Sequence, residues 1–313
     1  MKKFLVFSVA SLMSAATAFA ANGTFVQPSS PSATDAGTCT LTQPCLTITK
    51  ALTVTDPTGQ VNIVSPGDFA ESLTITTGVT LYAVNGDIRL LPPSGQPGIT
   101  ISAGTSDNVN LRGFQIIGTA GGTTGIVVNS LAKLSLRGMG VSGFSGVGIS
   151  FAPSSAGSFV PVLYMEDSIA RYNAGNILVA PTNSLGAAVD LKRVTSQFSS
   201  TYAIRVDGSG TSGQVQGTIS DSEITNVTNN GILAVSNGSL SRIMVDHTVV
   251  AHMGTNGVTA SGSGAQVLMN NSTITFASNA ILAQSGGIVS SYGNNAVNFD
   301  AGNTTFSSSS TLK

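Results

Sequence analysis

The residues of this chain that could do ionic or acid–base chemistry recur at one point of a repeated pattern. Glu166-Asp167, Lys192-Arg193, Asp221 and Asp246-His247 each follow a segment in which apolar residues alternate with others. Carboxylates and histidine transfer protons near neutral pH, while lysine and arginine pair with the carboxylates of an acidic ligand. If the repeats superpose, these side chains form one column, the charged ladder. One interpretation of the ladder is a uronic-acid or glycan site, in which Lys192 and Arg193 hold carboxylates and Asp221, Asp246 or His247 serves as acid or base.

The same ladder has a simpler structural interpretation. Asp, Asn and Gly favour tight turns, and side chains stacked on neighbouring strands prefer opposite charges or hydrogen-bonding amides. Asn270-Asn271 continues the column with amides of this kind. The sequence favours register and solubility as the role of the ladder, with ligand contact and catalysis as alternatives.

A second column, five residues further along each repeat, is rich in aromatic rings. It contains Tyr172, Phe198, His252 and Phe276. Rings in one column present sugar-stacking surfaces if they face outward, or form an aromatic stack if they face inward. The sequence favours interior or half-buried packing, with His252 as a hydrogen-bonded filler rather than a ligand.

The elements that position both columns are short strands in a repeat of roughly 20–30 residues, the period typical of a solenoid. Residues 109–287 contain seven such units. Each unit opens with one of the segments 109–111, 134–136, 163–165, 189–191, 217–219, 243–245 and 267–269. Each closes with two apolar residues that are separated by one other residue. The first of the two is Ile126, Ile149, Ile177, Ile204, Ile232, Val258 or Ile281. Between them a middle strand aligns Ile116, Val141, Ala170, Ser196, Ile224, Val250 and Ile274.

The composition agrees with closely stacked strands in a single domain. Only 9% of the 313 residues are charged, 36 are glycine, and 41% are hydrophobic. This hydrophobic content in regular alternation argues against disorder. Acidic residues (14) outnumber Lys and Arg (13), which argues against a nucleic-acid partner.

The first twenty residues predict a secretory signal peptide. Lys2 and Lys3 precede a short apolar run, and small residues precede a cleavage site between Ala20 and Ala21. No later segment is long and apolar enough to span a membrane. Export favours a disulfide between Cys39 and Cys45, because a metal site needs more ligands and a redox pair has a shorter spacing.

Three stretches of the sequence resemble right-handed parallel β-helix proteins of the pectin-lyase-like superfamily. Residues 66–75 (PGDFAESLTI) resemble the first full coil of these proteins. Residues 44–52 (PCLTITKAL) and 291–297 (SYGNNAV) resemble the start and the last coil of a subset of secreted bacterial β-helix repeat proteins. The resemblance implies the fold and no single activity, because the superfamily includes lyases, hydrolases, esterases, epimerases, adhesins and phage tailspikes.

The predicted architecture is an all-β, single-domain right-handed parallel β-helix of about ten coils with three strands each. A signal peptide (1–20) precedes a leader, disulfide loop and N-terminal capping helix (21–58), the β-helix (59–301) and a polar tail (302–313). Residues 89–106 contain Pro92, Pro93 and Pro97, and proline cannot donate to a strand ladder. We therefore expect these residues to form a loop between early coils.

Motifs that define the enzymes of the superfamily do not occur in this chain. Pectin methylesterases carry a GxVDFIFG run and an arginine beside tryptophan, and this sequence has no tryptophan. The nearest matches to polygalacturonase motifs, Arg205-Val206-Asp207 and Asp246-His247-Thr248, are poor, and the epimerase motif DPHE does not occur. Glu166, Asp167 and Arg193 imitate a calcium-dependent pectate lyase site only if the ladder faces a groove.

The sequence therefore predicts a secreted, non-enzymatic module that binds a polysaccharide or cell-surface glycan or serves as a rigid structural element. No cofactor, metal or catalytic residue is predicted. The alternative is a lyase or hydrolase that acts on an acidic, uronate-containing polysaccharide. Oligomeric state is left open.

Overall fold

The computed structural model describes residues 23–119, 121–155, 157 and 159–309. The predicted signal peptide and its cleavage site at Ala20 and Ala21 lie outside the described residues. From the N-terminus, the elements are β1 (Gly23–Val26), α1 (Ile48–Val54), β2 (Gln60–Ile63), β3 (Gly67–Phe69), β4 (Leu73–Ile75), β5 (Val79–Ala83), β6 (Ile88–Leu90), β7 (Ile99–Ser102), β8 (Asn108–Arg112), β9 (Gln115–Ile117), β10 (Ile126–Ser130), β11 (Lys133–Arg137), β12 (Gly140–Ser142) and β13 (Val147–Phe151). They continue with β14 (Val162–Arg171), β15 (Gly175–Val179), β16 (Ala187–Gln197), β17 (Tyr202–Asp207), β18 (Val215–Ser220), β19 (Glu223–Val227), β20 (Asn230–Val235), β21 (Ser241–Asp246), β22 (Val249–Met253), β23 (Asn256–Ser261), β24 (Ala265–Asn270), β25 (Thr273–Thr275), β26 (Asn279–Gln284), β27 (Ile288–Ser291), β28 (Ala296–Asn298) and β29 (Ser308–Ser309).

These strands wind into a parallel β-solenoid with three faces. The first face contains the opening strand of each coil, from β2 and β5 through to β27 and β29, and the second face contains the short middle strands. The first and second faces together form one 20-stranded sheet, because β14 and β16 run through both. The third face is a separate sheet of nine strands, which gives nine complete coils, and β27 and β28 begin a further one. The predicted fold class is confirmed.

The core consists of three columns of apolar side chains that superpose in the predicted register. On the third face, Ile149 pairs with Ile126 and Ile177, and the column continues to Ile281. The predicted columns of the other two faces pair in the same way, with Leu134 beside Leu163 and Val141 beside Ala170. Equivalent inward side chains of successive coils therefore pack against one another. A repeat that places β-branched and aliphatic residues at every second position requires this arrangement.

Two corners of the coil depend on left-handed backbone. The first corner, between the first and second faces, has φ between 43° and 82° at Gly113, Gly138, Asp167, Arg193, Asp221, His247 and Asn271. The second corner, between the second and third faces, has φ between 52° and 80° at Gly143, Tyr172, Phe198, Asn226, His252, Phe276 and Phe299. Both predicted columns thus occupy corner positions, where side chains project from the convex edge of the solenoid.

The N-terminal end of the solenoid is covered by β1, the disulfide loop and α1. Cys39 and Cys45 form the predicted disulfide, and both are fully buried. Thr47 accepts a hydrogen bond from the backbone of Lys50 as the N-cap of α1. Glu71, from the motif at residues 66–75, accepts further bonds from the first amides of the helix. The motif therefore attaches the capping helix to the first coil.

One prediction about the early coils is wrong in part. Residues 89–106, predicted to form a loop, include the end of β6 and all of β7, which pairs with β4 and β10. The prolines lie between these two strands, in residues 91–98, where no ladder amide is needed. Within the described residues, no helix is long and apolar enough to cross a membrane.

Candidate functional site

The charged ladder occupies the first corner in the predicted order. The register pairs Arg137 with Glu166, Glu166 with Lys192, and Ser220 with Asp246. The left-handed corner positions place Asp167, Arg193, Asp221 and His247 one residue further along. Adjacent coils lie about 4.8 Å apart, so the sequence brings these groups into one column as expected.

Arg193 binds both carboxylates of the preceding coil. Its Nε donates to Asp167 Oδ1 at 2.6 Å, and its Nη2 lies 2.5 Å from Glu166 Oε1. Arg137, one coil further back, lies 3.4 Å from the other oxygen of Glu166. Tyr164 and Arg193 lower the pKa of Glu166, and Arg193 lowers the pKa of Asp167. Both carboxyls are therefore held ionised, in ion pairs rather than beside an open ligand site.

Asp246 and His247 form a second, separate pair at the same corner. His247 Nδ1 lies 2.9 Å from Asp246 Oδ2, and this hydrogen bond raises the pKa of His247. Asp246 also accepts a hydrogen bond from Asn270 of the next coil at 2.7 Å. Within the part of the chain that the structure describes, neither Lys192 nor Asp221 has an ion-pair partner.

The geometry of the ladder suits alignment of coils better than catalysis. The side chains of Asp167, Arg193 and His247 are 58%, 43% and 57% exposed, on a convex edge. Proton-transfer groups are tuned by enclosure and by neighbours, and these three side chains are largely exposed to solvent.

Buried hydroxyl groups directly inside this corner were not predicted. Ser168, Ser222, Thr248 and Ser272 each donate to the carbonyl two residues earlier. Ser168, Ser222 and Ser272 also accept an amide from the preceding coil. The sequence signal is the Ser or Thr that follows the left-handed residue in four of the coils.

A concavity of the described surface lies on the first face, beside the ladder. It is an open groove of about 670 Å³ that crosses seven strands from β14 to β29. Six steps of about 4.8 Å make this groove about 29 Å long. It is lined by Val162, Ala188, Val189, Asp190, Gln216, Gly217, Thr218, Arg242, Ile243, Met244, Gln266, Val267, Leu268, Ile288, Ser290 and Ser308. We call it the first-face groove.

The groove combines an apolar floor with spaced hydrogen-bonding groups. Met244 and Leu268 are neighbours on its floor, and Thr218 lies beside them over Asp190, to which its hydroxyl donates at 2.9 Å. Arg242 Nε donates to Gln266 Oε1 at 3.0 Å. The sequence did not predict these residues, because each is the outward residue between two core positions and has no part in the apolar columns.

Tyr164 lies in β14 at the N-terminal end of this groove, where it pairs with Asp190 of the next coil. The Arg137 guanidinium lies 5.2 Å from its ring centroid and the Lys133 ammonium 5.7 Å away. Proximity to the carboxylate of Glu166 raises the pKa of the Tyr164 hydroxyl. An aromatic ring, two cations and one carboxylate thus meet where the groove borders the ladder.

The aromatic column lies at the surface, with rings that are half-buried, one of the two arrangements predicted, and not interior. Tyr172, Phe198 and Phe276 are 55%, 41% and 50% exposed. Tyr172 and Phe198 stack at 4.8 Å with their planes 3° apart, and His252 and Phe276 stack at 4.9 Å. The column continues to Phe299, 5.3 Å from Phe276. The rings face outward because a left-handed corner residue projects away from the coil.

No group of three or more His, Cys, Asp or Glu side chains within the described residues is arranged to hold a metal ion. In the ladder, the carboxylates of Glu166 and Asp167 both accept hydrogen bonds from Arg193.

Comparison with known proteins identifies the fold. The sequence matches no protein-family model and no curated protein sequence. Among solved structures, pectate lyase Pel9A superposes with a TM-score of 0.67 at 12% identity, over 93% of this chain and 78% of the lyase. The protein has the pectin-lyase-like right-handed β-helix fold. Two further similar structures are a rhamnogalacturonan lyase and the pectin methylesterase from Aspergillus niger.

The TM-scores of these two structures are lower than that of the pectate lyase, and the similarity again concerns the fold. The rhamnogalacturonan lyase has a TM-score of 0.50 at 10% identity, over 83% of this chain and 75% of that one. The methylesterase has a TM-score of 0.50 at 13% identity, over 86% and 87% of the two chains. A shared β-helix supports many unrelated activities, so function has to be argued from the residues of this chain.

Proposed function

We propose that this protein is an exported, non-enzymatic β-helix module that binds a polysaccharide chain along the first-face groove. The observation that carries this proposal is the groove itself, which is long, open and continuous across seven strands. Its volume of about 670 Å³ is within the range of ligand sites, in which apolar surface alternates with a few polar groups. An open groove admits a chain longer than itself, as a polymer ligand requires.

The lining of the groove favours a neutral polysaccharide. Sugar rings offer apolar C–H faces, which suit Met244 and Leu268, and hydroxyl groups, which suit the amides of Gln216 and Gln266. The groove contains one carboxylate, Asp190, and one guanidinium, Arg242. These charges balance, so the groove has no excess of positive charge to select a polyanion.

The fold neighbours support a carbohydrate ligand in general terms. The three similar structures are named for activity on pectate, rhamnogalacturonan and pectin. The disulfide between Cys39 and Cys45 suits an oxidising compartment, in agreement with the predicted signal peptide. Polysaccharides outside the cytoplasm are thus accessible to the protein in its proposed location.

One observation favours the alternative, a lyase or hydrolase for an acidic polysaccharide. The Asp246–His247 pair is a histidine hydrogen-bonded to a carboxylate, a common arrangement for proton transfer. His247, however, is 57% exposed at the corner, outside the groove lining. The groove lining supplies a single carboxylate, Asp190, which is hydrogen-bonded to Thr218, and no second carboxylate or histidine to act with it.

Binding and turnover are tested together with the mature protein. Affinity electrophoresis in gels that contain neutral glucans, mannans and xylans, or pectate and alginate, measures retardation for each polymer. The same preparations are assayed for new reducing ends and for unsaturated uronate products. We expect retardation by a neutral polymer and no product. Product release from any polymer would establish the enzymatic alternative, and no retardation by any polymer would refute glycan binding.

A further inference from the structure

Three cations lie together on the first face, N-terminal to the first-face groove. Arg112 is the last residue of β8, Lys133 and Arg137 are the first and last residues of β11, and all three are exposed. The register pairs Arg112 with Arg137 on adjacent strands, although like charges in direct register repel one another. The chain contains only 13 Lys and Arg residues, so three of them in two short strands concentrate positive charge. We call these three residues the cation cluster.

The turn beside the cation cluster lacks the carboxylates that neutralise the charged ladder. In the two coils of the cluster, the left-handed residue of the first corner is Gly113 or Gly138, whereas the next coil places Asp167 there. Within the part of the chain that the structure describes, neither Arg112 nor Lys133 has an ion-pair partner. Stacked cations without a counter-charge favour an anion from outside the protein.

Two carboxylates border the cluster, and both are engaged elsewhere. Arg137 Nε lies 3.4 Å from Glu166 Oε2, which is longer than the roughly 3.2 Å of a good N–H···O bond. The other oxygen of Glu166 accepts a hydrogen bond from Arg193. Asp107, directly before β8, accepts the backbone amide of Gly104 at 2.9 Å. The five N–H donors of an arginine are therefore largely available to a ligand at Arg137.

A buried hydroxyl lies at the centre of the cluster. Leu134 and Leu136 point into the core, so Ser135 between them points outward, between the two cations of β11. Its register partners are Asn110 and Tyr164. Ser135 is only 4% exposed, yet its hydroxyl makes no hydrogen bond within the described residues. Buried polar groups are normally hydrogen-bonded, so this hydroxyl is a donor that a ligand can use.

The ring of Tyr164 holds two of the three cations in place. The Arg137 guanidinium lies 5.2 Å from the ring centroid and the Lys133 ammonium 5.7 Å from it, distances at which a cation is attracted to an aromatic ring. Side chains that are already held lose less freedom when a ligand binds. Lys133 also pairs with Val162, which lines the first-face groove. The cation cluster and the groove therefore adjoin on one face.

We propose that the cation cluster, with the hydroxyl of Ser135 and the amide of Asn110, binds one oxyanion, the carboxylate or sulfate group of an acidic sugar unit. Guanidinium groups bind such anions through paired hydrogen bonds, and coils about 4.8 Å apart let Arg112 and Arg137 contact one group together. Asn110 Nδ2 donates one hydrogen to Thr80 at 3.2 Å and keeps the other. A polysaccharide with neutral rings in the groove would place an acidic end or branch here. That last step rests on the proposed function, whereas oxyanion binding does not.

The probes are methyl glucuronide, which carries a carboxylate, glucose 6-sulfate, which carries a sulfate, and methyl glucoside, which carries neither. Their binding to the mature protein is followed by NMR titration of the arginine Nε–H signals, assigned from Arg112→Gln and Arg137→Gln. We expect at least one acidic sugar to shift both signals and methyl glucoside to shift neither. The two acidic sugars show which oxyanion the site prefers.

Two variants and a charge-matched control test the assignment. Arg112→Gln combined with Arg137→Gln should weaken binding of the acidic sugar about tenfold. Ser135→Ala keeps every charge and should weaken it about threefold. Lys50→Gln combined with Arg171→Gln removes the same charge from α1 and the second face, and should leave the affinity unchanged.

The outcomes separate this site from the proposed function. The proposal is overturned if neither acidic sugar shifts the two arginine signals, if methyl glucoside shifts them equally, or if the charge-matched control loses as much affinity as the arginine variant. Unchanged affinity in folded Ser135→Ala would also overturn the site. Thr218→Trp, which obstructs the first-face groove, should leave the acidic-sugar titration unchanged. Acidic-sugar binding without retardation by any polymer would support the oxyanion site and refute the proposed function alone.

Discussion

Removing the buried side-chain amide of Asn176 should lower the free energy of unfolding by an amount set by the hydrogen bonds that this amide makes at the second corner. Asn176 is fully buried and makes three side-chain hydrogen bonds. Its Nδ2 donates to Ser196 Oγ and to the Gln197 carbonyl, both at 3.0 Å, and its Oδ1 accepts from Asn173 at 3.0 Å. Asn173 in turn accepts the amide of Phe144, which fixes the chain after the Tyr172 corner.

The expected cost of Asn176→Ala is about 2 kcal/mol. Three hydrogen bonds at about 0.5–1.5 kcal/mol each would total about 1.5–4.5 kcal/mol. Each partner keeps one further hydrogen bond, namely Asn173 Nδ2 to Val141 O, the Tyr172 amide to Gln197 O, and Ser196 Oγ to Ala203 O. No partner is then left unsatisfied, and the cost falls in the lower half of the range.

The free energy of unfolding is measured by urea denaturation followed by circular dichroism. Asn229→Ala is the matched control, because its one side-chain bond, to Ser200 O at 3.3 Å, is exposed, and it should cost less than about 0.5 kcal/mol. Equal stability of the two variants would refute the amide network as a determinant of the corner. A loss above about 4 kcal/mol would show instead that the partners do not keep their second bonds.

Three further predictions concern the ladder and the cap. Because Asp246 raises the pKa of His247, their interaction stabilises the fold below the unfolded pKa of histidine and is lost as pH rises through the folded pKa. Asp246→Asn should therefore lower the His247 pKa in an NMR titration, and an unchanged pKa would contradict the pairing. Arg193 lowers the pKa of Asp167 and helps Tyr164 to lower the pKa of Glu166. The ion pairs of Arg193 with these carboxylates therefore stabilise the fold above the unfolded carboxyl pKa, and this stabilisation is lost as pH falls through the folded pKa values. Arg193→Gln should thus raise both carboxyl pKa values and flatten the dependence of stability on acid pH, whereas Lys192→Gln should alter that profile less. Glu71 accepts the amides of Ile48 and Thr49 at 3.0 and 2.8 Å, so Glu71→Ala should cost about 1 kcal/mol and speed hydrogen exchange in α1. Unchanged exchange there would show that Thr47 alone caps the helix.

The sequence was sufficient to predict the core of the fold, because the buried apolar residues recur at regular intervals. Ile126, Ile149 and Ile177 recur at one point of each repeat, and a one-residue slip would expose them, so pattern and register are linked. The seven-coil alignment, the capping helix and the disulfide followed from the same kind of local signal.

The direction in which the corner residues point was harder to predict. An aromatic residue is usually buried, and the periodicity of strands gives no rule for a residue between two strands. Tyr172 and Phe198 face outward because their backbone is left-handed, which sequence indicates for Asn or Gly but not for Tyr or Phe. The same limit applied to the loop at residues 89–106, where prolines concealed a strand that begins directly after them.

The first-face groove was not predicted, because a groove depends on which outward residues are small and which neighbouring turns rise beside them. Thr218, Met244 and Leu268 are unremarkable in the sequence, and only superposition of their coils makes them one surface. The charged ladder was conspicuous in the sequence through its charge, although the structure uses much of that charge within the ladder itself.

The most direct test of the account compares Thr218→Trp with Thr74→Trp in polysaccharide retardation. Both threonines are exposed outward residues of strands, Thr218 in the groove and Thr74 on the third face. If a neutral polysaccharide lies in the first-face groove, Thr218→Trp abolishes retardation while Thr74→Trp behaves as the unmodified protein. Equal retardation of the two variants would contradict the proposed function.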